Sequence, residues 1–278
     1  MTCRRAPRRV IHSQLYRMEN SKPLMLDESF ARMAGGHAEL PARRNFPRII
    51  LFDIDGTLIN AVRRREYRGL IRLKLEEIFG TCGRIGEVDF AGKTDMAIYT
   101  EALECEGITL EDIRRKIPLI ELAMQDVLAT MSSSGEVFRV CPGVTDLLEA
   151  MSTDDRFIPS LLTGNFEKLA EIKLGLVGLW KYFRGRGAFG SDALERDHLP
   201  EIAAGRFRGH LGEDLDRSRF VIVGDTPRDI ACARYFGSPV VAVASGGVSI
   251  DDLAALSPDA LLADLSNTRA VLDLLASV

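Results

Sequence analysis

Apolar positions along this chain fall into short continuous runs separated by helical patterns. Residues 49–52, 157–162, 220–223 and 240–244 are largely apolar, as is typical of strands buried on both faces of a parallel sheet. Between these runs, apolar residues recur every three or four positions, which indicates amphipathic helices. The alternation predicts an α/β fold with a doubly wound parallel sheet.

The stretch that follows the first strand carries helical patterns only. Residues 67–79 predict one helix, residues 94–106 a second, and residues 109–130 a third. Thr109 and Asp112 have the spacing of a capping box, which begins the third helix. This part of the chain is therefore expected to be an insert in the α/β fold.

The pattern divides the chain into three parts. Residues 47–60 and 141–278 are predicted to form the α/β core, and residues 61–140 an all-helical segment, called the insert below. Residues 1–46 precede the first predicted strand, and we expect a disordered, basic extension there. A nucleic-acid arm and a targeting peptide are the alternatives, but no apolar segment follows the arginines as in a secretory signal.

Composition and charge narrow the function classes. No stretch of about eighteen apolar residues is present, so we expect no membrane partner. The net charge is −4 and no basic stripe with aromatic residues follows the extension, which argues against a nucleic-acid partner. The five cysteines are scattered without a CxxC pair, which favours a reducing, cytoplasmic location. The oligomeric state stays open.

Two carboxylates stand at the end of the first predicted strand. Asp53 and Asp55 follow the apolar run, and Gly56 allows a tight turn directly after them. Two buried carboxylates side by side are unfavourable unless a cation or a proton accompanies them. An acidic surface turn is the alternative interpretation.

Two further predicted strands also end in polar groups. Thr163, Gly164 and Asn165 offer a hydroxyl and backbone N–H groups at the start of a helix, which suits an anion. An ordinary turn with Asn165 as the helix N-cap explains the same residues. Asp225 and Asp229 follow the third of these strands, where they offer oxygen ligands for a metal. The alternative is an ordinary helix start that Asp225 or Thr226 caps.

Taken together, the three motifs are far more specific than each alone. Asp53-x-Asp-Gly-Thr, Leu-Thr-Gly-Asn and Gly-Asp-Thr-x-x-Asp each end an apolar run, in this order. The string resembles motifs I, II and IV of the haloacid dehalogenase (HAD) superfamily. The resemblance covers residues 48–266, and the position of the insert is similar to the cap of the phosphoglycolate phosphatase-like branch. It implies a Mg²⁺-dependent phosphatase that acts on a small phosphorylated metabolite.

The resemblance also implies roles for the acidic residues. Asp53 is expected to attack phosphorus and form an aspartyl-phosphate, and Asp55 to serve as the general acid and base. Asp53, Asp225 and the backbone carbonyl of Asp55 are expected to hold Mg²⁺ through oxygen ligands. Asp229 is a further metal ligand, bound directly or through water.

Substrate contacts are implied at two places. Thr163, Gly164 and Asn165 are expected to hold the phosphoryl oxygens. Lys93 lies in a segment of the insert that resembles the loop facing the active site in this branch. There it either meets a substrate anion or is a solvated loop lysine.

The third HAD motif is where the chain departs from the pattern. The superfamily commonly places a lysine about thirty residues after the threonine of motif II, and residues 191–197 contain none. Arg196 is expected to supply this cation, although its planar guanidinium differs from a lysine point charge. Lys173 is the rival, and a solvated Arg196 at a helix start is the remaining alternative.

Three other functions compete with phosphatase activity. A phosphomutase would use the same carboxylates, and a phosphonatase would need a lysine such as Lys93 for a Schiff base. A catalytically degenerate protein that binds a phospho-ligand would explain the missing lysine. The intact Asp53, Asp55 and Asp225 favour an enzyme.

Overall fold

Strands and helices alternate along the parts of the chain that the structure, a computed structural model, describes: residues 24–25, 47–183, 187–211 and 216–278. The strands are β1 (Leu24–Met25), β2 (Arg48–Phe52), β3 (Ile59–Ala61), β4 (Phe138–Val140), β5 (Phe157–Leu162), β6 (Gly187–Ala188), β7 (Phe220–Gly224), β8 (Val240–Val243) and β9 (Ala260–Leu262). The α-helices are α1 (Arg64–Phe79), α2 (Asp95–Leu103), α3 (Leu110–Ser133), α4 (Val144–Ser152), α5 (Glu167–Leu176), α6 (Leu199–Leu211), α7 (Pro227–Phe236), α8 (Ile250–Ala255) and α9 (Thr268–Ser277).

The main sheet is parallel, with the strand order β1-β9-β8-β7-β2-β5-β6. Ile50 and Phe52 of the central strand β2 pack into one apolar cluster, which includes residues of α4, α5 and α9. Ile49 and Leu51 point to the opposite face, into a cluster formed with α6, α7 and α8. Helices cover both faces, so the predicted doubly wound α/β fold is confirmed.

The strand register brings three strand ends together. β2 lies between β5 and β7, and its last residue, Phe52, is paired with Leu161 of β5 and with Val223 of β7. Parallel strands in this register end at the same edge of the sheet. The residues that follow β2, β5 and β7 therefore meet, although those after β5 and β7 lie more than one hundred positions from those after β2 in sequence.

The helices predicted for the insert are present. They are α1, α2 with a 3₁₀ turn at its end, and α3, where Thr109 and Asp112 form the expected capping box. The ends of the insert, however, pair as the antiparallel strands β3 and β4, which the helical pattern does not predict. Both chain crossings between insert and core are thereby held at one place, and β3 and β4 are too short to give a strand pattern.

The insert shares its apolar core with the α/β core. Leu75, Tyr99 and Met124 are buried in a cluster formed by α1, α2 and α3. Phe166 and Leu169, at the start of α5, belong to the same cluster, and the rings of Phe166 and Tyr99 lie 5.9 Å apart. The insert therefore packs directly on the helix that follows β5.

The insert also approaches the β5–α5 turn at backbone distance. The N–H of Asp95 donates a hydrogen bond of 2.6 Å to the carbonyl oxygen of Gly164. A Cβ atom on Gly164 would lie 1.9 Å from the carbonyl oxygen of Lys93, so only glycine allows this contact.

Some elements lie outside the sequence predictions. β9, α8 and α9 were not predicted, because residues 250–278 carry no motif and their apolar runs are short. Leu24–Met25 pair with Ala260–Leu261 at the edge of the sheet. The rest of residues 1–46 lies outside the described residues, so the prediction of a disordered extension stays a prediction. Within the described part of the chain, no helix combines the length and apolarity needed to cross a membrane.

Replacing Gly164 tests the close approach of the insert. Gly164→Ala should lower the free energy of unfolding by about 1–3 kcal/mol, because the added methyl overpacks a backbone contact. Gly175→Ala is the matched control on α5: no atom lies within 4 Å of its added Cβ. This control should raise stability by about 0.5–1 kcal/mol through helix propensity. Urea unfolding measures both, and an unchanged midpoint for Gly164→Ala would contradict the contact.

Candidate active site

Three buried carboxylates lie at the shared strand edge. Asp53 follows β2 and is 4% exposed, Asp225 follows β7 and is 3% exposed, and Asp229 on α7 is fully buried. Each offers an oxygen atom, and these three oxygens lie within 4.8 Å of one another. The strand-end placement of Asp53 and Asp225 that the sequence indicates is thus present in the structure, and α7 adds Asp229.

Crowding and burial make this cluster a poor place for three negative charges. Burial raises the pKa of Asp53 to about 6, and the neighbouring Asp229 and Asp55 add to the shift. Burial and the charges of Asp53 and Asp229 raise the pKa of Asp225 to about 8. Compensating positive charge is needed for all three to be ionised at neutral pH.

Arg196 supplies part of that charge. Its side chain is 5% exposed, and one guanidinium nitrogen lies 3.0 Å from Asp53 Oδ1 and 2.5 Å from Asp229 Oδ1. The same nitrogen donates to the carbonyl oxygen of Leu162, the last residue of β5, at 3.1 Å. The alternative of a solvated Arg196 is therefore wrong, and this arginine, rather than Lys173, contacts Asp53.

Asp229 combines two functions. Its Oδ2 accepts hydrogen bonds from the N–H of Thr226 at 3.0 Å and from the Thr226 hydroxyl at 2.7 Å, which caps α7. Its Oδ1 binds Arg196. Thr226 is thus the N-cap residue of α7, as the capping alternative expects for one of its two candidates, while Asp225 lines the cavity.

The turn after β2 also holds the Asp225 side chain in place. The Thr57 hydroxyl donates to Asp225 Oδ1 at 3.2 Å. Gly56 has φ +100°, and a Cβ there would lie 2.1 Å from Asp225 Oδ2. The Asp-Gly-Thr string is thus needed both for the turn and for the space that Asp225 occupies.

Asp55 lies apart from the three-carboxylate cluster. Its side chain is 43% exposed, and Lys173 Nζ lies 2.7 Å from Oδ2 and 3.0 Å from Oδ1. The Asn165 side-chain amide donates to Oδ2 at 2.8 Å. Burial alone would raise the pKa of Asp55, but Lys173 and Asn165 together lower it below its usual value.

The β5–α5 turn is organised around Thr163. Its buried hydroxyl oxygen accepts hydrogen bonds from the Asn165 N–H at 3.2 Å and from the Asn165 amide at 2.8 Å. Asn165 is not the N-cap of α5, so that alternative is wrong. Phe166 is the N-cap residue, and its N–H donates to Asp95 Oδ2 of the insert at 2.8 Å.

A cavity of about 350 Å³ lies between these groups and the insert. Asp53, Asp55 and Asp225 lie on its core side. The insert contributes cationic and aromatic groups, which are Arg64, Tyr67, Arg68, Phe90, Lys93 and Tyr99. Lys93 lines the cavity and its ammonium forms an ion pair with Glu101, which offsets the positive charge of the lysine.

Two contributors to the site, Thr57 and Asp95, and the contact of Lys173 with Asp55 lie outside the sequence predictions. Thr57 belongs to the first motif, where the carboxylates dominate the pattern. Asp95 lies two positions after Lys93, and its place at the start of α2 is a signal that the sequence offers. Lys173 is predicted only as the rival of Arg196 beside Asp53. Its ion pair with Asp55 joins positions 118 apart and has no sequence signal.

Comparisons with known proteins support the fold. Residues 195–268 match a family model described as HAD-hydrolase-like. A predicted phosphoglycolate phosphatase of Haemophilus somnus 129PT is 20% identical, with a TM-score of 0.56 over 83% of this chain and 100% of its own. A hydrolase of Pseudomonas syringae is 19% identical, with a TM-score of 0.56 over 83% and 100% of the two chains.

A third similar structure is a HAD hydrolase of family IA, variant 3, from Entamoeba histolytica. It is 18% identical and has a TM-score of 0.58 over 82% of this chain and 99% of its own. No curated protein sequence matches the chain. The resemblance that the three motifs predict is confirmed: the chain has the α/β fold of the haloacid dehalogenase superfamily.

Proposed function

We propose that this protein is a phosphatase that hydrolyses a small phosphorylated metabolite through an aspartyl-phosphate on Asp53. The contact of Arg196 with Asp53, at the cavity between the core and the insert, is the observation that carries the proposal. A carboxylate beside a guanidinium supports the proposal, because the carboxylate can act as a nucleophile and the guanidinium can bind a phosphoryl group. The similar structures described as phosphatases or hydrolases support the same reaction class.

The carboxylate cluster fits a divalent cation such as Mg²⁺. Asp53 and Asp225 offer hard oxygen ligands. Burial and the charges of Asp53 and Asp229 raise the pKa of Asp225, and Arg196 does not fully offset them. The Asp55 backbone carbonyl and Asp229 complete the proposed ligand set. When bound, the cation would offset repulsion between the carboxylates and phosphate and stabilise developing charge.

In the first half of the reaction, an oxygen of Asp53 forms a bond to phosphorus, and the bond from phosphorus to the leaving oxygen breaks. The leaving oxygen takes a proton delivered through Asp55. Because Lys173 lowers the pKa of Asp55, that carboxylate is ionised at rest. A phosphate monoester that binds as its monoanion supplies the proton for this step.

In the second half, water attacks phosphorus of the aspartyl-phosphate. Asp55 accepts the water proton, and the ionised form that Lys173 favours is the one this step needs. Asp53 is released as a carboxylate, and the proton on Asp55 passes to the departing inorganic phosphate, which restores the ionised Asp55. Arg196, Thr163, Gly164 and Asn165 hold the phosphoryl oxygens in this proposal.

The cavity limits the substrate. About 350 Å³ accommodates a small metabolite rather than a macromolecule. Arg64, Arg68 and Lys93 line its insert side and are the proposed substrate contacts there.

The four described cysteines are all free, which supports a cytoplasmic location. The contact of Lys93 with Glu101 disfavours the phosphonatase alternative, because the amine that would form the Schiff base is already engaged by a carboxylate.

Asp53→Asn should abolish turnover while the protein stays folded, because an amide cannot form an acyl phosphate. Acid-quenched wild-type enzyme should retain label from a ³²P-labelled substrate, released by hydroxylamine, and the variant should retain none. Asp197→Asn, a neutralisation beside Arg196, is the control and should keep turnover within a few-fold. If Asp53→Asn retained more than a few per cent of wild-type turnover, Asp53 would be excluded as the nucleophile.

In the absence of metal, the free energy of unfolding should depend on pH because Asp225 titrates. Burial raises its pKa from 3.8 to about 8, so the folded state binds more protons between these values, and stability falls as the pH rises. The melting temperature in EDTA should decline from pH 5 to 8, and Mg²⁺ should restore it most at pH 8. Asp225→Asn should flatten both trends. Full activity in excess EDTA would refute the metal site.

Arg196→Ala should lower kcat/KM by a factor on the order of 10² to 10³, about 3–4 kcal/mol, the effect of removing one preorganised charge. Arg196→Lys should recover part of this loss. Stability should also fall, because Asp53 and Asp229 lose their buried partner. Turnover is therefore measured well below the melting temperature. A loss below about fivefold in folded Arg196→Ala would count against phosphate binding by Arg196.

A further inference from the structure

Lys173 is a buried lysine whose ammonium points at a single carboxylate. It lies on α5, ten positions after Thr163, and its side chain is 6% exposed. Its Nζ lies 2.7 Å from one oxygen of Asp55 and 3.0 Å from the other. Asn165 donates to the same carboxylate at 2.8 Å, so donors from the β5–α5 region engage both oxygens.

The surroundings of Lys173 leave its ammonium little freedom. The ring of Tyr67, on α1, lies 5.8 Å from Nζ, and the ring of Phe138, on β4, lies 5.7 Å away. Both rings belong to the insert, while Lys173 and Asp55 belong to the core. The ammonium is therefore in contact with two rings of the insert as well as with the carboxylate of the core.

The two buried cations of the site divide the carboxylates between them. Arg196 contacts Asp53 and Asp229, whereas the contacts of Lys173 are with Asp55. A lysine ammonium is a compact point charge with three donors, which can hold both oxygens of one carboxylate in place. Arg196 thus lies beside the proposed nucleophile, Asp53, and Lys173 lies beside the proposed proton-transfer group, Asp55.

We propose that Lys173 is a positioning residue that orients the Asp55 carboxylate for proton transfer and acts through Asp55 without contacting the substrate. The inference rests on the proposed function, because it assigns a role within that reaction. This role differs from that of the lysine that residues 191–197 lack, because Arg196 already occupies the position beside Asp53.

Lys173→Met keeps an apolar stem of similar length and removes the charge. It should lower kcat about 10- to 100-fold, the cost of a misplaced catalytic group, with KM changed less than about threefold. Lys173→Arg, which keeps a donor and the charge, should recover part of the loss. Lys168→Met is the matched control on α5, because Lys168 is exposed and pairs with Glu171, and it should match the wild type.

The decisive measurement combines Lys173→Met with Asp55→Asn. If Lys173 acts through Asp55, the double variant should turn over no more slowly than Asp55→Asn alone. A purely structural role would lower the activity of Asp55→Asn further, together with the melting temperature. If Lys173 contacted the substrate directly, Lys173→Met would raise KM, and this rise would persist in the Asp55→Asn background. Either of these results would overturn the proposal.

Wild-type turnover separates this inference from the proposed function. The wild type is first assayed with Mg²⁺ on phosphorylated sugars, phosphoglycolate and nucleotides, with release of inorganic phosphate as the readout. Absence of turnover on the whole panel would refute the proposed function, and the role of Lys173 would fall with it. Turnover in the wild type with an insensitive Lys173→Met variant would refute the role of Lys173 alone.

Discussion

The contact of Arg196 with Asp53 and Asp229 is the interaction on which the rest of the site depends. Three carboxylates within 4.8 Å are strongly unfavourable in a buried position without positive charge. The guanidinium offsets two of them and is tied to the carbonyl of Leu162, at the end of a neighbouring strand. The third, Asp225, keeps a raised pKa, and in the proposed function a divalent cation would supply the positive charge that it lacks.

Much of the fold follows from the sequence because the central strands are buried on both faces. The runs at β2, β5, β7 and β8 are apolar without alternation, and polar groups follow three of them directly. Once the strands are parallel and in register, those groups must meet at one edge. The locations of Asp53, Thr163 and Asp225 could therefore be predicted from local pattern alone.

The remaining contacts depend on tertiary structure that local pattern does not encode. Asp55 meets Lys173 because α5 packs back over the strand ends, and Asp229 turns its second oxygen to Arg196 because α7 starts beside it. The pairing of β3 with β4 is set by the need to anchor both ends of the insert. Each depends on how helices sit on the sheet, whereas sequence periodicity reports only which side of an element is apolar.

Asp95 links the position of the insert to the stability of a core helix. Its carboxylate accepts the N–H of Phe166, so a residue of the insert satisfies an N-terminal donor of α5. Moving the insert away would expose that donor and the apolar side chain of Phe166 together. Amide hydrogen exchange in the first turn of α5 would therefore report how often the insert opens. A ligand that holds the insert closed would slow that exchange, even though α5 lies on the core side of the molecule.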